Sequence, residues 1–218
     1  MRILVRILRY ALLLWLVLFA YNTLFPPVST LMLSRWVTGQ KVAREYVPLV
    51  RIAPSLARAA ITAEDGKYCR HHGIDWKAMH GAINRATDPD GEPTNGASTI
   101  TMQTAKNLFL WHGRSYVRKA LEVPFALGID LLWSKRRIME TYLNIAEFGP
   151  GIFGAEAAAR HYFGVSAAAL SPQQSALLVA ILPNPKKRNA RAPSAYVARY
   201  AASIGNRMDK GIETRCLR

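Results

Sequence analysis

Ala63-Glu64-Asp65-Gly66-Lys67-Tyr68-Cys69-Arg70-His71-His72-Gly73-Ile74-Asp75 is the stretch on which the reading of this chain turns. Just ahead of it Leu56, Ala59, Ala60 and Ala63 recur at helical spacing, so Glu64 and Asp65 fall together at the end of a helix. A carboxylate in that place is opposed by the helix macrodipole. Lys67, Arg70, His71 and His72 follow at once, a density of titratable groups that a passive helix end does not need. Taken by itself the segment reads first as a solvated, charge-mixed helix end, and function enters only when other segments support it.

Working outward, Ile129, Leu132, Trp133, Arg136 and Met139 again follow helical spacing, and sustained alternation is scarce. The fold class is therefore mainly α. Asp88-Pro89-Asp90-Gly91 and Pro93-Thr94-Asn95-Gly96 are turn chemistry and predict a long polar loop between two helical blocks. The 218 residues suffice for one sizeable core, and neither a repeat nor a low-complexity tract interrupts them.

Toward the N-terminus, no residue from Tyr10 to Ser34 is charged. About 20 apolar residues at roughly 1.5 Å each cross a hydrocarbon core of roughly 30 Å, and Pro26-Pro27 should end that helix. Arg2, Arg6 and Arg9 precede the run and by the positive-inside rule keep the N-terminus in the cytoplasm. Tyr10 and Tyr21 suit interfacial anchoring, whereas Trp15 lies too deep for it. A cleaved signal peptide shares the basic start, but no small-x-small cleavage site follows the run, which favours a retained anchor. The expected organisation is a cytoplasmic 1–9, a transmembrane helix 10–30, a linker or membrane-proximal segment 31–54 and a folded exported domain 55–218.

A formal net charge of +15 suits a polyanionic partner: nucleic acid, anionic lipid or a phosphorylated substrate. Export removes nucleic acid from that set. Cys69 and Cys216 lack metal-site spacing and are read as small buried residues, a bridge between them being the lesser alternative that export would permit.

Two further blocks carry chemistry. In Gly96-Ala97-Ser98-Thr99-Ile100-Thr101-Met102-Gln103-Thr104-Ala105-Lys106-Asn107, glycine and hydroxyl residues precede a helix-capable run and could face a phosphate, although an ordinary helix cap explains Ser98 or Thr99 equally well. It is no Walker loop, since the Gly-Lys-Ser/Thr core is missing. In Arg118-Lys119-Ala120-Leu121-Glu122, Arg118 and Glu122 are four apart and would pair along a helix, as would Arg136 and Glu140 further on.

Together these blocks resemble the peptidoglycan glycosyltransferases, in particular the monofunctional biosynthetic peptidoglycan transglycosylases of glycosyltransferase family 51. The Glu-Asp-x-x-Phe-x-x-His-x-Gly-x-Asp pattern falls on Glu64, Asp65, Tyr68, His71, Gly73 and Asp75. The Gly-Gly/Ala-Ser-Thr-Ile-x-Gln-Gln-x-x-Lys-Asn pattern falls on Gly96 through Asn107, and Arg-Lys-x-x-Glu on Arg118, Lys119 and Glu122. Ser134-Lys135, Tyr142-Leu143-Asn144, Glu147-Phe148-Gly149 and Leu182-Pro183-Asn184-Pro185 continue the order, so that the match runs from about Ala60 to Pro193. Tyr68 replaces the usual phenylalanine, and Met102 stands first in the glutamine pair, removing an amide near the donor site. Met102→Gln is accordingly expected to preserve or modestly raise activity.

The resemblance implies a two-lobed, lysozyme-like domain behind a single transmembrane helix, polymerising lipid II into β-1,4-linked glycan with release of undecaprenyl diphosphate. It implies Glu64 as the base and Glu122 as its partner on the donor side. Asp65, His71, Ser98, Thr99, Gln103, Asn107, Arg118 and Asn144 would bind substrate, with Lys106, Arg114, Lys119 and Lys135 candidates for the diphosphate. No cofactor is obligatory and no metal ligand is assigned, a magnesium or manganese ion near Glu122 being the candidate. The implied setting is the extracytoplasmic face of a bacterial inner membrane, with membrane lipids and other wall-synthesis or division proteins as candidate partners. No SxxK or KTG signature marks a penicillin-binding domain, so a monofunctional enzyme is expected. A lysozyme-type muramidase and a catalytically silent scaffold are the competing readings.

Overall fold

A computed structural model describes residues 2–87, 97–113 and 115–218. The predicted polar loop at 88–96 and the candidate Arg114 lie outside the described residues.

Helix α1 (Arg2–Leu24) contains a window, Val5–Leu24, long and apolar enough to cross a membrane. It begins well before Tyr10, because nothing between Arg2 and Arg9 breaks a helix. It stops at Leu24 rather than near residue 30, since Pro26 disfavours the α conformation at Phe25. Ser29 then accepts from the Met32 amide and starts α2 (Thr30–Val37). The remainder of the membrane-proximal segment holds β1 (Ala43–Arg44) and a 3-10 turn at Leu49–Arg51.

Pro54 occupies the first turn of α3 (Pro54–Glu64), where its missing N–H removes no helical bond. After α4 (Trp76–Thr87), side-chain caps from Thr99, Ser115 and Ser134 open α5 (Ile100–Phe109), α6 (Tyr116–Leu132) and α7 (Lys135–Ile145). A small sheet follows, in which β3 (Ile152–Phe153) lies between β1, parallel to it, and β2 (Glu147–Gly149), antiparallel to it. Gly154 has φ +85°, and a Cβ there would come 2.8 Å from the Asn144 carbonyl, so the sheet can turn into α8 (Ala155–Phe163) only through glycine. Helix α9 (Pro172–Ile181) starts in a Ser171–Gln174 capping box, and α10 (Ala195–Asp209) completes the helices.

Two groups of helices form the lobes. In one, α3 lies against α9 and α10; in the other, α5 lies against α6 and α7. Leu56, Ala60, Ile100, Ile138, Phe148 and Leu178 belong to one continuous buried core. The fold is thus mainly helical and two-lobed in the lysozyme-like manner, with the end of α3 meeting α5 where the lobes join.

Two expectations change. Cys69 and Cys216 are bridged rather than free. The C-terminal segment folds back along α7, Arg136 donates to the Leu217 carbonyl, and Arg70 pairs with Glu213 at 2.9 Å. That return brings the cysteine Cα atoms to 5.5 Å, a bridging separation that a spacing of 147 residues could not announce. Trp15, expected deep in lipid, instead packs its ring against Phe109, Phe125 and Gly128. Trp133 donates to Thr23 at 2.8 Å and Arg137 to the Asn22 carbonyl at 2.7 Å, so α1 is docked on the α5–α7 lobe. On the same lobe Leu127, Leu131 and Leu132 of α6 are exposed, an apolar surface continuous in character with α1.

Candidate active site

The last residue of α3 places Glu64 at the junction of the lobes, partly buried, where it accepts a 2.8 Å bond from the Gln103 amide of α5. Burial pushes its carboxyl above the ordinary glutamate value, and the Asp65 charge adds to this. The Gln103 bond and the Lys106 charge act in the opposite direction. Tyr142, fully buried, lies 3.5 Å from the other end of the Gln103 amide, and burial holds its hydroxyl in the neutral form. Gln103 is therefore oriented by Tyr142 behind it and Glu64 in front.

Asp65 resolves the dipole conflict noted in the sequence. One of its oxygens accepts from the Ile100 amide, so the carboxylate sits on the favourable N-terminus of α5. The other is 2.8 Å from His71 Nε2. Both side chains are buried and engaged with each other. Thr99 likewise caps α5 and donates to the Gly73 carbonyl, and Asn144 spends its amide on the Val47 backbone and the Glu140 carbonyl. Asp65, His71, Thr99 and Asn144, expected to bind substrate, are thus each hydrogen-bonded within the protein around Glu64.

Glu122 is buried on α6 between two cations. Arg118 bonds one oxygen and Lys119 the other at 2.8 Å, while Lys119 also reaches Ser98. The helical pairing of Arg118 with Glu122 holds, but Glu140 pairs with Arg137 and not with Arg136, at 2.6 Å. Lys106 is lowered by burial and by Arg118 and Lys119, with Glu122 and Glu64 opposing.

Glu64 lines one recess directly, and its partner Gln103 lines another. One, of about 220 Å³, is lined by Gln103, Lys106, Asn107, His112, Tyr142 and Glu147. The other, of about 240 Å³, is lined by Glu64, Asp65, Asp75, Ser98 and Thr99. His112 was missed from sequence; desolvation together with Lys106, Arg118 and Lys186 pushes it down to about 4, so at neutral pH it can accept a hydrogen bond.

Lys135 does not face either recess. Its Nζ is 2.7 Å from Asp130 and stands over the Tyr68 ring at 4.8 Å. Asp130 is the signal that could have shown this: a single acid in the apolar run from Phe125 to Trp133. Met102 is fully buried in the core and lines neither recess. Nor do the protein groups suit a resident cation at Glu122. Both of its oxygens are taken by cations, and among the described residues no three histidine, cysteine or acidic side chains converge.

A partly buried carboxylate of raised pKa held near clustered Lys and Arg side chains is an arrangement able to serve sugar transfer from an anionic leaving group to a hydroxyl. Residues 31–209 match the family model described as Transglycosylase. The biosynthetic peptidoglycan transglycosylase of Rhizobium meliloti (strain 1021) is 56% identical over 181 residues, which is 83% of this chain and 76% of that protein. Its counterpart in Agrobacterium fabrum (strain C58 / ATCC 33970) is 53% identical over 83% of this chain and 79% of its own length. That of Brucella suis biovar 1 (strain 1330) is 51% identical over 88% and 85% respectively. The chain belongs to the transglycosylase family and is a peptidoglycan glycosyltransferase of cell-wall synthesis.

Proposed function

We propose that this enzyme polymerises lipid II, with Glu64 as the general base. The C4 hydroxyl of an acceptor gives its proton to Glu64 as its oxygen attacks the anomeric carbon of the lipid-linked donor. The bond from that carbon to the diphosphate breaks, its electron pair leaves with undecaprenyl diphosphate, and the anomeric centre inverts. The observation carrying this assignment is the Gln103–Glu64 bond at the lobe junction, which fixes a carboxylate of raised pKa at the wall of one recess and ties it to the Gln103 that lines the other. Lys106, with Arg118 and Lys119, offsets the charge of the departing diphosphate. Glu122 holds Arg118 and Lys119 in place and transfers no proton, since both oxygens already accept from cations.

The same arrangement disfavours a muramidase, which needs a second carboxyl free to act on the sugar. By this reading α1 crosses the inner membrane with Arg2, Arg6 and Arg9 on the cytoplasmic side, and the catalytic lobes stand outside. Glu64→Gln tests the proposal: glutamine keeps the shape but accepts no proton, so polymer formation from lipid II should fall by about 10²- to 10⁴-fold. Near-normal polymerisation by that variant would refute Glu64 as the base, and loss of polymer from purified sacculi would support the muramidase.

A further inference from the structure

A cavity of about 330 Å³ lies where the C-terminal tail meets the first turns of α3 and α7. Leu49, Ile52 and Leu217 give it an apolar lining, and Arg58, Arg136 and Arg218 bring three guanidinium groups to it. We propose that this pocket binds the phosphate of an anionic membrane phospholipid, an inference that rests on α1 crossing the membrane and not on the polymerisation chemistry.

The charges call for an anion. None of the three guanidiniums has a carboxylate within ion-pair distance among the described residues. Arg58 and Arg136 are half-buried, and each gives one N–H to a backbone carbonyl, that of Met208 at 2.9 Å and that of Leu217 at 2.8 Å. A guanidinium has five donors, so four on each have no protein acceptor among the described residues. Burial costs these cations hydration, and a phosphate that accepts from several donors at once restores it. The position points to a lipid as the source of that phosphate. Leu49 donates its amide to Glu140 at 2.8 Å, Glu140 pairs with Arg137 at 2.6 Å, and Arg137 donates at 2.7 Å to the carbonyl of Asn22, near the end of the apolar window Val5–Leu24. Only two side chains thus separate a wall of the pocket from the end of the span, which places it by the headgroup layer. Leu131 and Leu132, exposed at the end of α6, stand three residues before the first basic wall residue of α7, Arg136. That order of apolar then basic side chains suits a boundary where acyl chains end and phosphates begin. Free phosphate would leave the apolar lining unused, and nothing ties an acidic peptide to the end of the span.

The test melts the full chain in dodecyl maltoside micelles doped with dioleoyl phosphatidylglycerol or, at equal mole fraction, dioleoyl phosphatidylcholine. Phosphatidylglycerol should raise the wild-type Tm saturably above phosphatidylcholine, because a ligand bound only by the native state stabilises it. Arg58→Gln and Arg136→Gln should each need about tenfold more phosphatidylglycerol for half of that shift. Both arginines also hold backbone, so two further variants separate binding from folding. Arg218→Gln removes a guanidinium that bonds nothing in the described protein and should weaken the response likewise. Val50→Glu, at a lining residue 73% exposed, should abolish the response by setting a carboxylate beside the phosphate. Arg199→Gln removes the same charge from an exposed position on α10 outside the pocket and should leave the response unchanged. An equal loss there would show bulk attraction to a chain of net charge +15 and overturn the proposal. So would a wild type that melts alike with the two lipids, or one shifted as far by inorganic phosphate or by a glutamate-rich peptide, which would assign the pocket to a free anion or a protein partner. Failure of the membrane placement looks different: the chain would then wash off vesicles in alkaline carbonate whatever their lipid charge.

Discussion

At Glu64 burial opposes the ionised carboxylate, while the Gln103 bond and the Lys106 charge favour it. A carboxyl whose folded pKa is raised stabilises the protein below its unfolded pKa, and that contribution is lost as pH rises through the folded value. Above that value the fold carries a poorly solvated charge. Glu64→Gln should therefore raise Tm at pH 7 to 8 even as it lowers turnover, and an unchanged or lowered Tm would argue that the charge is better solvated than the geometry indicates. Because the Gln103 bond lowers the Glu64 pKa, Gln103→Leu should move the acid limb of the kcat/KM profile to higher pH. A limb at the wild-type position would show that Gln103 acts elsewhere. Met102 reverses its sequence-based expectation. Its side chain is fully buried, and Met102→Gln would place an amide in that core at roughly 1–3 kcal/mol if unpaired, so a lower Tm is expected in thermal melts, in place of a gain in activity. The motif order identified Glu64, Glu122 and their neighbours. It could not tell bracing from binding, because Asp65, His71, Thr99 and Asn144 reveal their partners only once α3, α5 and α7 are packed.

Among the elements, the segment after α3 has no regular helix or strand until α4 and depends on cross-links for its shape. Lys67 pairs with Asp75 at 2.9 Å, Tyr68 donates to the Lys135 carbonyl at 2.7 Å, and Cys69 is bridged to Cys216. The first of these is exposed and worth little; the bridge closes a loop of 147 residues, for which chain entropy allows up to about 5 kcal/mol. Reductant should lower Tm, and the Cys69→Ser/Cys216→Ser variant should melt like the reduced protein with no further response to reductant. Superimposable melts in the two redox states would show that the tail is held by its non-covalent contacts alone. Helical periodicity made α3 and the α6–α7 region legible, since their buried faces repeat every three or four residues. The sheet was not legible: β1 and β3 are two residues long each and pair across more than a hundred residues of sequence, too short to show alternation. Nor could composition show that 31–54 carries a helix lining the site, because α2 draws its stability from α5 through Thr30.

At the scale of the whole molecule, the apolar N-terminal helix and the catalytic lobes are not separable at Arg35. The sequence alone suggests that deleting everything before Arg35 would cost more turnover in membranes than in detergent, as for a tether. In the folded protein Ser29 and Leu31 line the Lys106 recess, Thr30 ties α2 to α5, and Asn22 and Thr23 accept bonds from Arg137 and Trp133. A truncation that ends at residue 34 removes part of the wall of the Lys106 recess along with the apolar helix α1. One that ends at residue 17 keeps those contacts and still leaves too few apolar residues to cross a bilayer. Trp15 is lost in both, exposing Phe109, Phe125 and Gly128, which detergent can cover. The shorter truncation should then retain most lipid II turnover in detergent and lose it in vesicles, where confinement of enzyme and substrate to one surface no longer operates. The longer truncation should lose turnover in both and melt at a lower temperature. Equal activity of the two proteins in detergent would show that α2 is dispensable for the site, and equal loss in detergent and vesicles by the shorter one would mean that α1 acts through the fold instead of through the membrane.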